Sequence, residues 1–133
     1  MSAHAALAEA LVDVLIGHAP LGMAINGVFD APPVRAVRPY AVVEDAVLAD
    51  WSTKDMAGRE GRLTVMLFDI GEGPKRLRGL ADEVVAAVEA MPRELAEGWH
   101  VASLIFLRSR IVHEGERRWA AIVEWRVRML RVN

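Results

Sequence analysis

The sequence predicts an α+β fold, a mostly antiparallel sheet of four to five strands with two helices packed on one face, and three observations predict it. The closing stretch RRWAAIVEWRVRMLR puts Trp119, Ala121, Val123, Trp125, Val127 and Met129 on one parity, and Arg118, Glu124, Arg126 and Arg128 on the other. Side chains alternate between the faces of a strand, so this is a strand with one buried surface and one partly wet one. Leu77, Leu80, Ala81, Val84, Val88 and Met91 recur instead at helical spacing and form a single apolar stripe. The order helix, weak strand, two strands, helix, two strands then has too few helices for a doubly wound parallel sheet.

In chain order, a first helix spans 3–16, where Leu7, Leu11, Val14 and Leu15 share a side while His4, Glu9 and Asp13 point elsewhere. Ser2 is placed to cap it and Gly17 to end it. Residues 19–27 carry the Pro, Gly and Asn of a turning segment, Val28-Phe29 makes a short strand, and the prolines at 32 and 33 predict an irregular connection. A strand begins at Tyr40 in YAVVEDAVL, and another of high β-propensity covers 62–70, RLTVMLFDI. Between them, WSTKDMAGREG at 51–61 reads as a long mobile hairpin loop. Gly71-Glu-Gly-Pro breaks the strand, Pro74 suits the first turn of the second helix, and Pro92 marks its end. The run WHVASLIFLRSR at 99–110 is apolar on both faces at its middle, which predicts a central strand. His113-Glu-Gly-Glu forms the hairpin to the last strand. Unbroken, that strand would run roughly 45–50 Å, so part of it is expected to outreach its own core and meet another subunit.

The 133 residues fit one domain over 1–133 that can bury a core without disulfides or metal. Hydrophobic residues reach 53%, above the usual share, while charged residues stay at 26%, so the excess apolar surface is expected to need a partner. Cysteine is absent, which excludes disulfides, thiolate nucleophiles and zinc-thiolate sites. A formal net charge of −2 gives no general attraction to nucleic acid or anionic lipid. No run approaches a membrane span, and MSAHAALAEAL lacks the basic region of a signal peptide, so a soluble chain held in the cytoplasm until assembly is expected.

Candidate chemistry is thin. His100, His113, Glu114 and Glu116 offer metal-ligand types, yet their spacing fits no recognised site and a solvated turn explains them better. Gly71-Glu-Gly-Pro-Lys-Arg could present amides and cations to a phosphate, but it lacks the P-loop ending and reads as a strand-to-helix turn. Ser52, Ser103 and Ser109 lie in no nucleophile elbow, and Glu44-Asp45 would point to opposite faces of a strand. No catalytic, metal or cofactor site is expected, and no enzyme. Arg108, Arg110, Arg117, Arg118, Arg126, Arg128 and Arg131 concentrate charge on the last hairpin. They could meet phosphates, or serve a solvated face or ion pairs between subunits, which the buried parity of the tryptophans favours. Trp51, beside the loop, is a candidate interface anchor.

Several strings, in this order, resemble the tail-terminator, or tail-completion, proteins of long-tailed phages and gene transfer agents. They are ALAEALVDVLIGHAPL, Asn26-Gly-Val-Phe-Asp before its prolines, Arg38-Pro-Tyr-Ala-Val-Val, the Trp51 loop, RGLADEVVAAVEAM and Arg118-Trp-Ala-Ala-Ile-Val-Glu-Trp-Arg-Val. The resemblance covers almost the whole chain and rests on structural motifs, not catalytic ones. It implies a homo-oligomeric ring, commonly of six copies, that caps the tail tube, stops its polymerisation and docks the head-side connector or stopper protein. DNA would pass through the ring without specific binding, no membrane would be involved, and the protein would reside at the head-tail junction of a particle assembled in the bacterial cytoplasm. The expected interface residues are Trp51, Lys54, Asp55 and Arg59, reaching the tube or connector, with Arg117, Arg126 and Arg128. A sheet edge is expected to meet the neighbouring subunit. The alternative is a small cytoplasmic dimeric binding module holding a ligand or protein between sheet and helices.

Overall fold

Fifteen consecutive residues, Ala3–Gly17, form the first helix, α1, because Ser2 caps its start by accepting a 3.1 Å hydrogen bond from the Ala5 amide and Leu7, Leu11 and Leu15 bury one side. The structure is a computed structural model that describes residues 2–132. A four-residue helix, α2 (Ala19–Gly22), follows where only a turning segment was expected; Pro20 lies in its first turn, where a missing amide costs nothing. Strands β1 (Val28–Phe29), β2 (Tyr40–Val43), β3 (Val47–Asp50) and β4 (Gly58–Ile70) precede helix α3 (Lys75–Glu89). Strands β5 (Trp99–Gly115) and β6 (Arg118–Arg131) complete the sheet.

The fold class is the expected α+β one, with six strands among the described residues in the order β1-β2-β4-β6-β5 and β3 also paired to β4. Only β1 and β2 run parallel. Helix α3 lies across β4, β5 and β6, and α1 packs on α3 and against β1 and β2. Every residue of the α3 stripe named above is buried. The space between helices and sheet is filled by Leu63, Val65, Leu67, Val123, Trp125 and Val127, all at 0% exposure. The other face carries no helix, although residues 30–33 cover its β2 corner beside Val42.

Five expectations need correction. Residues 58–61 are strand, not loop: Gly58 and Gly61 let backbone come so close that an added Cβ would lie 2.4 Å from the Trp51 carbonyl oxygen and 1.7 Å from that of Val47. The sheet therefore begins four residues early, and β4 pairs with β6 along its whole length. For that reason β6 does not outreach its core; it is an interior strand between β4 and β5, buried on the helix side as far as Met129. Strand β5 is not central but an edge, and its apolar middle is exposed: Ile105 by 52%, Phe106 by 42% and Leu107 by 37%. The YAVVEDAVL run is two strands, because Glu44 and Asp45 sit in an exposed break and not on opposite faces of one strand. The last hairpin is likewise tighter than HEGE, since His113 and Glu114 still lie in β5 and Arg117 takes a positive φ of 57° in the turn.

Candidate assembly interface

Cross-strand register places side chains in rows. At mid-sheet, Val47 pairs with Arg62, Arg62 with Arg126 and Arg126 with Ile105, all on the helix-free face. The next row joins Ala49, Glu60, Arg128 and Ser103. Together with Leu107, which a β-bulge turns out of the ladder, most of these residues line an open groove of about 520 Å³. Like charges directly opposite one another are unfavourable, and Glu124 offsets the Arg62–Arg126 pair from the adjacent row. It lies 3.4 Å from Arg62 Nη1 and accepts a 2.9 Å hydrogen bond from Arg108 Nε. Glu124 is largely buried on this face, and two cations, Arg62 and Arg108, hold it there. Arg126, in contrast, has no carboxylate partner among the described residues.

The expected interface residues divide between the two ends of the sheet. Trp51 is half-buried and lies under the Arg128 guanidinium, 5.2 Å from its ring centre, while Arg128 donates to Glu60 at 3.0 Å. Arg59 donates to the Gly58 carbonyl at 2.7 Å and reaches Asp50 at 3.4 Å. Lys54 and Asp55 are exposed on a turn closed by Thr53, whose hydroxyl accepts from the Asp55 and Met56 amides and whose own amide donates to Met56. The loop between β3 and β4 is thus a short hydrogen-bonded turn at 51–57. The Ser52 hydroxyl, and after it the Ser52 amide, hold the Asp50 carboxyl below its ordinary pKa. These six residues, Arg126 included, gather at one end and on the open face. Arg117 does not: it sits in the opposite hairpin, 3.2 Å from Glu72.

Other candidates separate in space. His100 bonds Glu94 at 2.6 Å at one end of β5, and His113 stacks on Trp119 at 4.2 Å near the other, so the four metal-type residues do not converge. Just past the Gly71–Pro74 turn, Arg76 in the first turn of α3 is committed to the buried Asp69, which accepts from its Nε at 3.0 Å and raises the guanidinium pKa. The sequence missed the Val47 and Ile105 ends of the mid-sheet row. The signal was there, in apolar residues on the polar parity of two strands, but reading it required the register.

A family model described as "Tail completion protein gp17" matches residues 9–130. No curated protein matches. A solved chain described as "Virion of native gene transfer agent (GTA) particle" is similar at a TM-score of 0.71 and 24% identity, covering 98% of this chain and 99% of that one. At that identity the likeness shows the fold alone.

Proposed function

The chain belongs to the tail completion protein gp17 family, whose members are structural proteins of phage-type tails, and from that membership we propose that its copies close a ring on the finished tail tube. Each ring subunit is the single domain expected over 1–133, and six copies is the number the resemblance implies. The ring stops further tube subunits from adding, offers its far face to the head-side connector or stopper, and lets DNA through without reading its sequence. It works at the head-tail junction of a phage or gene transfer agent particle, after assembly in the bacterial cytoplasm. Its action is steric and adhesive, with no bond made or broken.

Family membership carries this reading, and the geometry supports it. A closed cyclic ring needs two unlike, complementary patches on each subunit, and β3 and β5 are two unlike edges of the sheet, on opposite sides of β4 and β6. The turn at 51–57, with Lys54 and Asp55 exposed and Trp51 held by Arg128, projects from one end and is the part that reaches the tube or connector. Arg59, Arg126 and Arg128 border that end, while Arg117 marks the opposite face of the ring. Particles made without this gene should have tails of uncontrolled length that fail to join heads. Electron micrographs showing normal tails attached to heads in its absence would overturn the reading.

A further inference from the structure

The mid-sheet row Val47–Arg62–Arg126–Ile105 begins and ends on an exposed aliphatic side chain, Val47 being 77% exposed and Ile105 52%. One level along, the same edges carry opposite charge. The Glu44 amide donates to the Thr64 carbonyl at 3.1 Å, Thr64 pairs with Glu124, and Glu124 pairs with Arg108. Exposed carboxylates, Glu44 and Asp45, therefore lie at one side of the sheet, and exposed guanidiniums, Arg108 and Arg110, at the other. Glu44, Asp45 and Arg110 have no ion-pair partner among the described residues.

Strand direction fits as well. Across this row β3, β4, β6 and β5 alternate, each antiparallel to the next, so β3 and β5 run in opposite senses. A rotation about an axis along the strands preserves each direction and brings β5 of one copy antiparallel to β3 of the next. Resting on the ring reading, we propose that the partner of the β5 edge is a second copy of this chain. Ile105–Arg108 of one subunit pairs with Glu44–Val47 of its neighbour, with Ile105 beside Val47, Arg108 level with Glu44 and Asp45, and Arg110 one row beyond, within reach of Glu44. The sheet then continues across the subunit boundary, and an edge strand that would otherwise invite aggregation is covered.

The absence of cysteine makes the test direct. Opposed residues of an antiparallel ladder stand ~4.5–5.5 Å apart at Cβ, close enough for a disulfide to form with small adjustments. Val47→Cys and Ile105→Cys chains are purified separately, mixed, allowed to assemble and mildly oxidised. The expected result is a covalent dimer in the mixture and none from either variant alone, with the double variant giving a ladder of oligomers. A dimer from Ile105→Cys alone would mean a symmetric β5–β5 contact and would overturn the proposal. If native mass shows a ring of the unsubstituted chain but no mixture cross-links, the edge pairing is wrong and the ring stands. If the unsubstituted chain forms no ring at any concentration, the ring reading fails and the pairing with it.

Discussion

Gly61→Ala is the sharpest single test of how β3 is held. The new Cβ would lie 1.7 Å from the Val47 carbonyl oxygen and 2.8 Å from its carbon, both backbone atoms that no rotamer change can move. Ordinary contact begins at 3.4 Å, so the Val47 backbone must retreat by about 1.7 Å. A ladder hydrogen bond of ~2.9 Å stretched by that much is broken. The register Val47↔Arg62 to Asp50↔Arg59 is short, and losing its bonds at a net ~0.5–1.5 kcal/mol each gives roughly 2–4 kcal/mol. For a domain of this size that lowers Tm by roughly 10 °C. Thermal unfolding followed by circular dichroism measures the loss, and hydrogen exchange locates it, with the amides of 47–50 losing protection while those of β6 keep theirs at low temperature. Because β3 is the acceptor edge in the proposed ring, the variant should also fail to assemble at temperatures where it is still folded. A variant with unchanged Tm and unchanged protection at 47–50 would refute the close-approach argument.

Three further outcomes follow from the packing and the local chemistry. Trp125→Ala empties a fully buried site and should cost about 3–5 kcal/mol in guanidinium unfolding; a loss under about 1 kcal/mol would show that the core does not close on this ring. Ser2→Ala removes the cap on α1 and should cost about 1 kcal/mol, read as a drop in Tm, whereas an unchanged Tm would mean the helix start is held by packing. Asp50 has its folded pKa depressed below 3.8 by Ser52, so its contribution is present above that value and lost as pH falls through the folded pKa. In Ser52→Ala the Asp50 carboxyl midpoint, followed by NMR, should rise toward 3.8, and an unmoved midpoint would assign the depression to another group.

The helices were legible because their signals are local. A capping serine, a stripe at 3.6 spacing and a closing proline all lie within one turn of the residues they organise, so α1 and α3 emerge close to their expected limits. The final strand was legible because its two faces meet different media. What the sequence hid was decided by long-range pairing. Residues 58–61 look like loop by composition, yet they are strand because β3 and β6 take up their backbone from either side. Of the interface candidates, Trp51 and Arg128 stand 77 residues apart in sequence and meet only through the β3–β4–β6 register, which no local pattern encodes. Arg117 carries the same residue type as Arg126 and Arg128, and only the topology puts it at the far end.

Strand β5 shows why one pattern supports two opposite readings. A strand apolar on both faces is buried on both if it is central, and that inference assumes the chain makes its own burial. Here Phe106 lies edge-on to the Trp125 ring at 6.1 Å, so its inner side belongs to the core, while the outer edge of the strand pairs with no other strand among the described residues. The composition that would suit a central strand in a monomer suits an edge strand whose second neighbour comes from another copy. Charge separates the two cases. A central strand buried on both faces has no use for guanidiniums, whereas Arg108 and Arg110 directly after Ile105–Leu107 match a partner that brings carboxylates, as the Glu44–Asp45 break does. Removing Arg110 by Arg110→Ala should therefore leave Tm of the isolated chain unchanged, since its side chain has no ion-pair partner among the described residues, and lower ring stability in native mass measurements. A fall in monomer Tm with no change in the ring would instead place Arg110 in the subunit's own fold.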